Sequence, residues 1–81
     1  MTLTPAQSRA ARALINWSQP QLAEASKVSI STIRDFETGK RQPITNNLTA
    51  IRTALESAGV KFLKDGDTAE GPGVSIFLND D

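Results

Sequence analysis

Apolar positions along this chain recur at helical spacing as far as Gly59 and at strand spacing after it. Thr4, Pro5 and Gln7 make a helix start: an oxygen cap, a proline in the first turn and a glutamine three beyond the cap. They predict a first helix running to about Ile15, so rich in alanine that its inward face is blurred. Ser18 and Gln21 repeat the capping-box spacing, with Pro20 tolerated in the first turn. The second helix then runs to about Ala25 and buries Leu22 and Ala23. Ser29 caps a third helix, which ends at Gly39. The loop KRQPIT follows, with Pro43 blocking continuation. Leu48, Ile51, Leu55 and Ala58 form one apolar stripe, which predicts a fourth helix from about Thr45 or Asn46 to Ala58, ended by Gly59.

Beyond Gly59, VKFL and VSIFL are short β-branched and aromatic runs separated by the turn-rich KDGDTAEGPG. They predict a small antiparallel hairpin with a long loop. A lone two-stranded hairpin is barely stable in water, so this one must pack on the helices or on another chain. Val60, Phe62, Val74, Ile76 and Leu78 alternate along its strands. Either they cap the chain's own core or they join two copies of it.

Length fixes the scale. The 81 residues make one domain, with no room for a second active unit. Residues 1–59 form the helical unit. Residues 60–81 form the hairpin and an acidic tail, part of the same compact unit or of a dimer interface. Apolar residues at 38% and charged residues at 22% fit a folded soluble chain, neither disordered nor membrane-like. With no cysteine and no histidine, disulfides, thiolate or imidazole metal sites and the commonest nucleophile–base pairs are excluded. The start MTLTPAQSRA has no apolar signal region, and no uninterrupted apolar run exceeds three residues. The expected location is therefore the cytoplasm, with no membrane association. Asp65 and Asp67 flank a glycine, but DGD is turn chemistry and too short for a calcium loop. No enzyme, metal or cofactor is expected.

Charge changes the picture more than its total of zero suggests. Residues 1–58 carry seven bases against four acids, a balance of +3, and residues 59–81 carry two bases against five acids, a balance of −3. Either this is scattered surface charge, or the basic part faces phosphate.

The third helix sharpens that choice. With Ile33 at the centre of its buried face and roughly 100° per residue, Phe36 and Ser29 fall beside Ile33. Ser31, Arg34, Asp35 and Thr38 fall on the opposite side, and Ile30 at the border. This short, hydrogen-bonding set with one arginine suits base edges in a major groove, or equally a solvated helix face. Glu37 fits neither, because it falls at the inward edge. A carboxylate there is costly unless paired, and the candidate partners are Arg9 and Arg12.

Gln19, Leu22-Ala23, Val28-Ser29, Ile33, Glu37, Gly39 and Pro43, in this order and spacing, resemble the helix-turn-helix pattern of the phage repressor and Cro family, also called the XRE family. Asn47-Leu48, Ile51, Leu55 and Ala58-Gly59-Val60 resemble its fourth helix, so the resemblance covers about residues 4–60. It implies a mainly α, four-helix lambda-repressor-like DNA-binding domain, here followed by the small C-terminal β-hairpin. It implies that Ile30, Ser31, Arg34 and Asp35 lie at the bases. Gln19 and Ser29, with Lys40 and Arg41 in the following loop, lie at phosphates. Arg12 pairs with Glu37 inside the domain. Two positions depart from the pattern. Lys27 stands where glycine is usual in the turn, and Asp35 stands where an amide is common.

The functional expectation is a small transcriptional regulator that binds a two-fold double-stranded operator as a homodimer. It is too short to hold a sensor, so no small-molecule effector is expected. The alternative is an antitoxin or another module that uses this fold to hold a protein partner.

Overall fold

Two capping boxes fix where the first helices begin. The Thr4 hydroxyl accepts from the Gln7 amide at 3.1 Å, and the Gln7 side chain accepts from the Thr4 amide at 3.1 Å. Ser18 and Gln21 do the same at 3.2 and 2.8 Å. In the structure, a computed structural model describing residues 3–63 and 73–76, these caps open α1 (Pro5–Ile15) and α2 (Gln19–Ser26). Ser29 accepts from the Thr32 amide and opens α3 (Ile30–Glu37). Helix α4 (Thr45–Ser57) follows, then β1 (Val60–Leu63) and β2 (Gly73–Ile76).

The ends match the sequence reading to within a turn. α3 stops at Glu37, two residues before Gly39, because Thr38 is its last cap and Gly39 takes the left-handed φ of 80° that closes it. α4 begins without a side-chain cap, since Ile44 stands at its N-cap.

Phe36, Leu22, Ile33, Ile51 and Leu55 are the large side chains buried at the centre. One comes from α2, two from α3 and two from α4, so the core welds these three helices together. α1 adds Ala11, and Leu3 closes the N-terminal side. Of the predicted α4 stripe, Ile51 and Leu55 are buried, and Leu48 packs half-buried against them.

The two strands pair antiparallel, with Val60 opposite Ile76 and Phe62 opposite Val74. β1 lies against α4 and α1, and β2 against α1. The hairpin is therefore built onto the helical unit. Val60 and Phe62, read from sequence as candidates for a contact between copies, are buried in the chain's own core. For Val74 and Ile76 only the backbone pairing is described, and Leu78 and the acidic tail lie outside the described residues. Among the described residues no helix is long and apolar enough to cross a membrane.

Candidate nucleic-acid interface

α2 and α3 form a helix–turn–helix, and the turn is held by backbone and core together. Lys27 adopts φ 61° and ψ 31°, the left-handed region, as the cap of α2. For a lysine this costs about 1 kcal/mol relative to glycine. The Val28 amide donates back to the Ala23 carbonyl at 3.2 Å, and the Val28 side chain is buried. α3 thus leaves the turn in a fixed direction, with Ile33 and Phe36 facing inward.

Glu37, at the end of α3, is the point where three helices are tied. It is 1% exposed, so its carboxylate needs partners, and four side-chain donors supply them. Arg12 donates from Nη2 to Oε1 at 2.7 Å and from Nε to Oε2 at 2.9 Å. Ser8 Oγ donates to Oε2 at 2.6 Å, and Gln19 Nε2 donates to Oε1 at 3.1 Å. Burial alone would push this carboxyl up. The hydrogen bonds from Arg12, Ser8 and Gln19, with the Arg12 charge, outweigh it and hold the group below its ordinary value of 4.5. Both arginines left open by helix geometry are used, in different ways. Arg12 pairs with the carboxylate, while Arg9 donates to the Glu37 main-chain carbonyl at the C-terminus of α3.

Ser8 is absent from the sequence reading. The available signal was spacing: Ser8 and Arg12 are one helical turn apart and share a face of α1. Gln19 was expected at a phosphate. Its half-buried amide turns one donor inward to Glu37, which leaves one N–H and its oxygen uncommitted to that carboxylate.

The opposite side of α3 faces solvent. Ser31, Arg34 and Thr38 are exposed, while Ile30, Thr32 and Asp35 are half-buried. Ser29 is exposed, and its hydroxyl also donates to Thr32 Oγ1 at 2.8 Å. Lys40 and Arg41 are exposed in the loop that follows. Their amides both donate to the Asp35 carbonyl, at 2.9 and 3.2 Å, so the loop folds back along the helix. Buried Pro43 pins its far end. Ser29 and Gln19 thus stand at the starts of α3 and α2, and Lys40 and Arg41 follow the end of α3 in chain order. Among the described residues no carboxylate cluster is placed to hold a metal.

A comparison with curated proteins finds no match. The family model described as Helix-turn-helix does match, over residues 9–58, and so spans both helices of the motif, the basic loop and all of α4. That match covers well over half of the chain, and with the exposed face of α3 it identifies the chain as a member of the XRE-type helix-turn-helix family of DNA-binding transcription regulators.

Proposed function

We propose that this chain is a small repressor-type regulator that binds a two-fold operator as a homodimer in the cytoplasm. The observation that carries this reading is the outward strip of α3, where exposed Ser31 and Arg34 stand clear of the core. Arg34 presents a planar fork of donors suited to guanine O6 and N7, and Ser31 reaches a neighbouring base edge. Ile30, at the first turn, supplies an apolar contact. Gln19 offers its remaining amide hydrogen to a phosphate, and Ser29 and Lys40 hold the backbone on either side of the strip. These contacts set register and supply most of the affinity, while the strip supplies the choice of sequence.

One helix of eight residues makes a weak, poorly selective half-site contact. A two-fold dimer sets two such helices in successive major grooves about 34 Å apart. The sheet supports a place for that contact, because among the described strands each has a single neighbour and an outer edge remains. With Val60 and Phe62 buried, the proposed interface uses the edge of β2 at Val74 and Ile76, and the Leu78 part of it lies outside the described residues. Selection of bound sites from random duplex DNA tests the reading. The expected product is an inverted repeat with half-site centres about 10 base pairs apart. A single unrepeated half-site would remove the two-fold operator, and no enrichment would remove sequence-specific binding.

A further inference from the structure

The loop after α3 does more than follow the helix. The Asp35 carbonyl takes both the Lys40 and the Arg41 amide, which bends the chain back onto the flank of α3. Arg41 thereby comes to line one shallow depression with Ser31, Thr32, Asp35 and Pro43. Stepping roughly 100° per residue puts Arg34 on one flank of the outward strip and Thr32 on the other, with Ser31 and Asp35 between. The strip therefore has Arg34 on one flank and, on the flank of Thr32, the depression that Arg41 also lines.

Asp35 gives the second arginine its meaning. Asp35 is half-buried on the strip proposed to lie at the bases, between the proposed phosphate contacts, and among the described residues it has no ion-pair partner. An uncompensated carboxylate there repels the DNA backbone. Arg41 is the one base lining the same depression. A guanidinium has five donors in a rigid plane, enough to satisfy a carboxylate with one edge and a base with another. A lysine in that place offers only a point charge.

Resting on the DNA-binding reading above, we infer that Arg41 is a second base-reading arginine, positioned by Asp35 across the Ser31–Pro43 depression, and that it selects a guanine next to the one read by Arg34. Asp35 is then a positioning residue. On DNA, Asp35 cancels its own repulsion by drawing in the Arg41 fork, with which it makes no ion pair in the free chain, and holding it in the plane that guanine O6 and N7 require. This separates Arg41 from Lys40, which has only the backbone to hold.

Site selection from random duplex DNA with the full-length chain and with Arg41→Ala, Arg41→Lys and Asp35→Asn tests the assignment. Arg41 is exposed and outside the core, so its variants keep the fold, and circular dichroism melts verify this for all three. The unaltered chain should enrich two guanines per half-site. Arg41→Ala should lose one of them and bind the unaltered chain's best site about 5- to 100-fold more weakly. Arg41→Lys should recover affinity for all sequences without recovering that guanine. Asp35→Asn should blur the same position and no other. If Arg41→Ala weakens all sequences alike and leaves the motif intact, Arg41 is a phosphate contact and this inference fails alone. A blur at a different position in Asp35→Asn overturns the positioning role. If the unaltered chain enriches no motif, the DNA-binding reading fails and takes this inference with it.

Discussion

Removing Arg12 alone should destabilise this protein more than removing Arg12 and Glu37 together. In Arg12→Ala the Glu37 carboxylate, 1% exposed in the unaltered chain, keeps only Ser8 and Gln19 as side-chain donors. Breaking a buried pair in this way costs about 3–5 kcal/mol. In Glu37→Ala the stranded guanidinium is better placed. Arg12 is 18% exposed and still donates to the Trp17 carbonyl at 3.0 Å, so it has a partner and a route to water. Loss of its charged hydrogen bonds then costs about 2–4 kcal/mol. The double variant strands neither charge, and its loss should fall below that of Arg12→Ala by about 1 kcal/mol or more. For a domain of this size the Arg12→Ala loss corresponds to a drop in Tm on the order of 20 °C. Urea melts across pH read both the cycle and its sign. A carboxyl lowered in the folded state contributes stability that is full above its unfolded value of 4.5 and lost as pH falls through the lower folded value. Arg12→Ala removes the guanidinium and leaves the burial that pushes the group up. The acid loss carried by Glu37 should therefore shrink or reverse sign in Arg12→Ala, and vanish in Glu37→Ala. Strictly additive losses, or an acid limb in Arg12→Ala as steep as that of the unaltered chain, refute the reasoning.

Three further outcomes are expected. Lys27→Gly should raise stability by about 1 kcal/mol, read as a higher urea midpoint, because glycine accepts φ 61° without the lysine Cβ penalty. Arg34→Ala should cost about 1–3 kcal/mol of binding and relax one base position, whereas Lys40→Ala should weaken all sequences alike and shallow the salt slope by about one unit; a uniform loss for Arg34→Ala would remove it from the bases. The full-length chain should sediment as a dimer at tens of micromolar, and a chain ended at Gly59 should melt lower because it loses buried Val60 and Phe62 from the core; a monomer at that concentration and on its operator would sink the dimer.

What the sequence by itself determined is local. Thr4 with Gln7, Ser18 with Gln21, and Ser29 with Thr32 each act within one helical turn, so helix starts are written in adjacent letters. Periodicity placed Ile33, Phe36, Ile51 and Leu55 inward for the same reason: a helix repeats on a fixed angle. Tertiary structure decided which distant groups meet. Ser8, Arg12 and Gln19 reach Glu37 from 29, 25 and 18 residues away, and only the packing of α1, α2 and α3 sets which of their donors face the carboxylate. The pattern of Val60 and Phe62 is the same whether a strand covers its own core or another chain's, because alternation fixes a face and not its neighbour. The packing of β1 on α4 and α1 is what buries Val60 and Phe62 in the chain itself. Arg41 was legible as a base in a loop. That it lies beside Asp35 depends on two amides folding back onto one carbonyl, a geometry that no spacing of charges along the chain encodes.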